Sequence, residues 1–159
     1  LAFMYVRHEL CQRLTPTAVG WFGAEDQFAF DAGVLRLRGD ARRFELGTPA
    51  VPTLYTARAG LELVHEVGVE RIRRRVASLT EDLWRRARSA GLRVRGASEP
   101  EARSAIVMIE HTDPGAAVRR LAEAGVIADY RPGAVRLSPH FYNTTEDNAR
   151  AIDVLVGGG

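Results

Sequence analysis

Apolar and polar positions alternate differently on the two sides of residue 50 in this 159-residue chain. The opening Leu1-Ala2-Phe3-Met4-Tyr5-Val6 is a short apolar run of the kind that forms a buried strand. A strand there needs neighbours, so the run leads us to expect a sequence that begins inside a domain. Residues 7–14 suit one or two helical turns, which Thr15-Pro16-Thr17 would end. Residues 20–50 keep neither a helical nor a strand period and mix glycines with Trp21, Phe22, Phe28, Phe30 and Phe44. A long aperiodic stretch rich in aromatics is usually functional or contacts a partner.

Helical periodicity starts after Pro49. Leu54, Ala57, Leu61 and Val64 recur at three and four residues, and Gly68 is a natural stop. A second stripe runs through Val69, Ile72, Val76, Leu79, Leu83 and Ala87 to Gly91. Its other face carries Arg71, Arg73, Arg74, Arg75, Arg85, Arg86 and Arg88, read here as a solvated face balanced in part by Glu70, Glu81 and Asp82. Strands are expected at 92–95, 105–109, 126–130 and 135–138. Between the second and third a helix is expected, capped by Asp113, with Pro114 at its first position, Gly125 at its end and Val118, Leu121 and Ala122 inward. A last helix starts at Thr144 or Thr145. Thr144-Thr145-Glu146-Asp147 looks like a capping box with Asp where Glu or Gln is usual, and Ala149, Ile152 and Leu155 or Val156 would face the core. The expected class is α+β, with an antiparallel-rich sheet and helices on one face. A loop-rich piece occupies 1–50, the α+β domain 51–156, and a disordered tail 157–159.

Composition narrows the function. All 22 basic residues are arginine, and lysine is absent. The net charge is only +2, too small for a nucleic-acid surface to be the first expectation. No apolar run approaches the roughly 18 residues of a membrane span, and no signal peptide is expected. The lone Cys11 suits a reducing cytoplasm and reads as a packing residue. His8, His65, His111 and His140 are dispersed, so no metal site is expected.

Three local patterns could carry chemistry. In the first, Arg136 lies on a short strand before Ser138-Pro139. A guanidinium so held suits two-pronged capture of a carboxylate, although, taken alone, a surface arginine on an edge strand is the first reading. In the second, Gly47-Thr48-Pro49 offers close backbone approach and a hydroxyl at a helix entry facing a phosphate. A plain helix entry capped by Thr48 fits as well. In the third, Gly20-Trp21 offers an indole N–H to an anion, or simply a tryptophan packed under a loop.

Taken together and in this order, the patterns change weight. Arg136-Leu137-Ser138-Pro139-His140-Phe141-Tyr142-Asn143-Thr144 resembles the signature near the end of class V aminotransferases and kynureninases. Arg43-Phe44-Glu45-Leu46-Gly47-Thr48-Pro49 is similar to the phosphate loop of that family, and Gly20-Trp21 resembles its preceding tryptophan. The resemblance runs over almost the whole chain. It implies the C-terminal small domain of a pyridoxal 5'-phosphate (PLP) enzyme of fold-type I, with the N-terminal strand and loop belonging to the large domain. It implies cofactor-phosphate contacts at Trp21, Gly47 and Thr48, the threonine reaching a neighbouring subunit's PLP, and a substrate carboxylate on Arg136. The implied partners are an amino-acid substrate, an upstream large domain and a homodimer mate. No cysteine loop of the desulfurase kind is visible, and Cys11 is not at a matching place. The lysine that joins PLP in such enzymes is not in this chain, so alone it is expected to be inactive. The competing expectation is a non-catalytic α+β module that binds a small carboxylate or a partner chain.

Overall fold

The computed structural model describes residues 2–31 and 33–157; Leu1, Ala32, Gly158 and Gly159 lie outside the described residues, and with them most of the expected tail. The chain forms two compact units, Leu1–Leu63 and Val64–Gly159.

In the first unit the regular elements are α1 (His8–Arg13) and most of α2 (Val51–Val67), separated by two 3-10 turns, Trp21–Gly23 and Ala41–Phe44. The expected opening strand does not form. Residues 2–7 have no regular structure, with Phe3 72% and Tyr5 88% exposed. The reason is physical: a strand exists only through a ladder of hydrogen bonds, and no described strand runs beside it. Cys11 is buried, with its Sγ 4.0 Å from the Val6 carbonyl, and so is the packing residue the sequence suggested. Helix α2 forms as its periodicity predicts, yet none of its residues is buried. It ends at Gly68, whose φ of +88° places it in the region that favours glycine.

The second unit holds α3 (Val69–Ser89), β1 (Val94–Arg95), β2 (Val107–Glu110), α4 (Pro114–Glu123), β3 (Asp129–Arg131), β4 (Ala134–Leu137) and α5 (Thr145–Val156). The four strands form one antiparallel sheet in the order β1-β2-β4-β3. Val107 pairs with Leu137 and Ile109 with Val135, and all four are buried on one face. That face meets Leu83, Trp84 and Ala87 of α3, Ala117 and Leu121 of α4, and Ala151, Ile152 and Leu155 of α5 in a single core.

The first three strands begin later than the apolar runs suggest, and β4 begins one residue earlier. Leu92 and Val126 donate their N–H groups back to Ala87 and Leu121, at 3.0 and 2.8 Å, closing α3 and α4. Those two residues therefore finish helices rather than open strands. The inward faces shift as well: Ala117 rather than Ala122 is buried in α4, and Asn148 and Ala151 join Ile152 and Leu155 in α5. The caps stand where expected. Asp113 accepts from Ala116 N at 2.9 Å. Thr144 and Asp147 complete both legs of the capping box, at 3.2 and 3.0 Å, so the shorter aspartate serves as well as glutamate here.

One expectation about charge is overturned. Asp82 is not on a solvated face; its side chain is only 10% exposed. It accepts from Arg85 at 2.8 Å, Arg86 at 2.7 Å and the Asn148 amide at 3.1 Å. Asn148, itself buried, also donates to the Leu79 carbonyl at 2.9 Å, tying α5 to α3. Burial pushes the Asp82 carboxyl up, and the donated bonds from Arg86, Asn148 and Arg85 outweigh it, leaving the group below its usual value. A lowered carboxyl stabilises the fold at neutral pH, and that contribution fades as the pH falls through the lowered value. Denaturation measured from pH 7 down to 2 should therefore lose stability below about pH 4, and Asp82→Asn should flatten that fall. Asn148→Ala should cost about 2 kcal/mol at pH 7.

Candidate functional site

Two glycines organise the aperiodic stretch of the first unit. Gly20 has an extended backbone (φ −105°, ψ 168°), so its conformation does not demand glycine. Space does: a Cβ there would overlap the carbonyl oxygen, carbonyl carbon and Cα of Leu46. A Cβ on Gly23 would fall 2.6 Å from the Arg43 carbonyl oxygen and 3.2 Å from that of Glu45. The turn Trp21–Gly23 thus lies backbone to backbone on the segment 43–46, which leads into Gly47-Thr48. Arg38 fastens the arrangement, its N–H to Gly23 O at 3.0 Å and its Nε to Phe22 O at 3.2 Å.

This packing brings Trp21 to Gly47. The indole Nε1 lies 3.9 Å from where a Gly47 Cβ would stand, so any side chain there would begin to fill the space before the N–H. The ring is 45% exposed and held edge-on by Phe22 and Phe28, with centroids 5.1 and 6.1 Å away. Thr48 is exposed next to Gly47. The side-chain hydrogen bonds of this segment involve Arg38, Arg42 and Thr53, and among the described residues none occupies the indole N–H or the Thr48 hydroxyl. The indole N–H of Trp21 thus stands beside the bare Gly47, and Thr48 is the next residue along the chain. Trp21 also borders an open cavity of about 780 Å³ whose wall includes Glu25, Asp26 and Asp31 together with Arg36. Three carboxylates against one arginine make that cavity less hospitable to an anion than the open approach over Gly47.

Arg136 lies in the second unit, on β4. That strand is internal to the sheet, so the edge-strand reading does not hold. Val135 and Leu137 point into the core and Arg136 to the open face, as the alternation predicts. The open face carries several charges, most of them paired. Glu110 takes Arg93 at 3.2 Å and Arg95 at 3.1 Å, and Asp129 takes Arg131 at 2.5 Å. Arg136 is half-buried and, among the described residues, makes neither an ion pair nor a side-chain hydrogen bond.

The sequence model of the kynureninase C-terminal domain matches residues 72–155, more than half of the chain. The chain belongs to the kynureninase C-terminal domain family. A Bacillus subtilis protein named "Uncharacterized aminotransferase YcbU" is 37% identical over 156 residues, covering 98% of this chain and 40% of that protein. The kynureninase of Pseudomonas fluorescens is 30% identical over 160 residues, covering 97% of this chain and 38% of its own length. The chain thus spans about 40% of the length of the curated relatives it matches. A cysteine desulfurase from Thermococcus onnurineus NA1 superposes with a TM-score of 0.81 at 20% identity, over 96% of this chain and 41% of that one, a likeness of fold alone.

PLP is the cofactor of this kynureninase-like, class V aminotransferase group. The residues present fit its phosphate: an indole N–H and a hydroxyl with no partner among the described residues, and a glycine whose missing side chain leaves the approach open. No cluster of three or more His, Cys, Asp or Glu residues able to hold a metal ion occurs among the described residues. Nor is any described helix long and apolar enough to cross a membrane.

Sequence reasoning named Trp21, Gly47, Thr48 and Arg136. It passed over the close approaches of Gly20 and Gly23 and the fixed carboxylate of Asp129 across from Arg136. The spacing Gly20-x-x-Gly23 was the available signal, but spacing alone does not say which backbone comes close. Because the clash at Gly20 is with backbone, Gly20→Ala should destabilise the first unit by about 4 kcal/mol and change the near-UV dichroism of Trp21. Gly60→Ala, where a Cβ meets nothing within 4 Å on helix α2, should be neutral or stabilise by up to about 1 kcal/mol. Equal effects of the two would show that the Gly20 contact is not formed.

Proposed function

We propose that this chain is the C-terminal portion of a PLP-dependent, kynureninase-like enzyme acting on an amino acid. Trp21, Gly47 and Thr48 hold the cofactor phosphate, and Arg136 binds the substrate carboxylate. The observation that carries the reading is an unpaired arginine on the open sheet face, within the region that matches the family. When bound, PLP supplies an electron sink that lets a bond at the substrate's Cα break.

The roles of this chain's own residues follow from their chemistry. A guanidinium presents parallel N–H donors that match the two oxygens of a carboxylate, so Arg136 both binds the substrate and orients its Cα. The Trp21 ring covers the phosphate while its N–H donates to it, and Thr48 adds a hydroxyl donor. No residue here can take the part of the reactive lysine, so the chain alone should be inactive. The lysine and the group facing the cofactor's ring nitrogen belong to an upstream large domain. Exposed Phe3, Tyr5, Phe28 and Phe30 support the reading that further chain and a second subunit cover the first unit. We take the enzyme to be a cytoplasmic homodimer in amino-acid metabolism.

The test uses the enzyme with its lysine-bearing part present. Arg136→Ala should raise the substrate KM by about 10- to 100-fold, the loss of a charged two-point contact, and leave the cofactor's absorbance unchanged. A shifted cofactor spectrum with unaltered substrate affinity would mean that Arg136 serves another purpose.

A further inference from the structure

The open face of the sheet is arranged in cross-strand rows. One row reads Arg95, Met108, Arg136, Asp129, each residue directly opposite the next across β1-β2-β4-β3. Directly opposed residues share a face and have Cβ atoms about 4.5–5.5 Å apart. Met108 is therefore on one side of Arg136 and Asp129 on the other.

The two outer members of this row are already committed. Arg95 donates to Glu110 at 3.1 Å and to the Pro132 and Gly133 carbonyls at 3.2 and 3.3 Å. Asp129 accepts from its neighbour's backbone, Tyr130 N, at 2.7 Å and from Arg131 at 2.5 Å. Arg131 in turn also donates to the Tyr130 carbonyl at 2.7 Å. The Tyr130 N–H first, and Arg131 next, hold the Asp129 carboxyl below its usual value, so it stays charged at neutral pH. Asp129 forms no ion pair with Arg136 among the described residues. It stands beside that guanidinium as a fixed negative charge bound elsewhere.

These neighbours limit what Arg136 can hold. One carboxylate can take its N–H groups. A second carboxylate on the same ligand would meet the charge of Asp129 on the β3 side. On the β2 side it would meet the thioether of Met108, which offers no donor, and beyond it Arg95, whose guanidinium is drawn to Glu110 and to the Pro132 and Gly133 carbonyls. We propose that Asp129 is a specificity-determining residue that restricts the Arg136 site to amino acids carrying one carboxylate and an uncharged side chain. The inference rests on the carboxylate-binding reading of Arg136.

Propionate and succinate, which differ by a second carboxylate, are suitable probes for the whole 159-residue chain. Binding can be followed by NMR through the amides of residues 134–137. Propionate should bind at least as well as succinate. Asp129→Asn should improve succinate about threefold more than propionate, the effect of removing one nearby charge in a solvated setting. Asp129→Glu should keep the original ratio. Asp129→Ser, which retains an oxygen for the Tyr130 N–H, should repeat the asparagine result if that variant melts early. If Arg136→Ala leaves propionate binding intact, the carboxylate reading fails and this inference with it. If Arg136→Ala abolishes binding while the Asp129 variants leave the ratio unchanged, only the role of Asp129 is overturned.

Discussion

The backbone of Gly20 passes so close to that of Leu46 that no other residue fits between them, and the candidate phosphate site depends on this contact. Two stretches some way apart in sequence, each a short 3-10 turn with its flanking loop, are held together by the absence of a side chain. Gly23 repeats the device against Arg43 and Glu45. The close approach sets Trp21 beside Gly47, and the indole N–H and the neighbouring Thr48 hydroxyl have no partner among the described residues. Free donors around a bare backbone are what an anion requires, and they remain free only while the backbone holds its place.

The second unit works on a different principle. Its sheet has one face packed and one open, so every strand residue is committed to core or surface by its parity. Val135 and Leu137 anchor β4, and Arg136 between them has no choice of side. The helices behind the sheet are joined by a buried polar link, Asp82 with Asn148, where apolar packing would have sufficed. One buried carboxylate there is matched by two arginines and an amide, and loss of the carboxylate would leave the buried Asn148 amide short of an acceptor.

Much of this second unit was legible before the structure. Asp113-Pro114 and Thr144 to Asp147 announce helix starts through local chemistry, and the alternation around Arg136 gives its direction. What depended on distant partners was hidden. Residues 1–6 read as a strand because the pattern records apolar character but not the presence of a neighbour. Asp82 read as solvated because its burial comes from Asn148, on a helix far along the chain. Leu92 and Val126 read as strand starts because the pull of the preceding helix carbonyl is not written in hydrophobicity. The Gly-Trp and Gly-Thr-Pro segments could be named from their resemblance to a family, yet that Gly20 brings them together is a matter of shape. Neither charge pattern nor spacing marked Asp129, whose place across from Arg136 follows from register alone.

The central claim is that Trp21 and Thr48 present one phosphate-binding edge. Its most direct test is the indole N–H resonance of Trp21 during titration of the chain with PLP, with buried Trp84 as the internal reference. The account predicts a saturable shift at Trp21 and none at Trp84, reproduced by inorganic phosphate and much weakened in Thr48→Ala. A Trp21 signal that does not respond, or one that responds equally in Thr48→Ala, would contradict it.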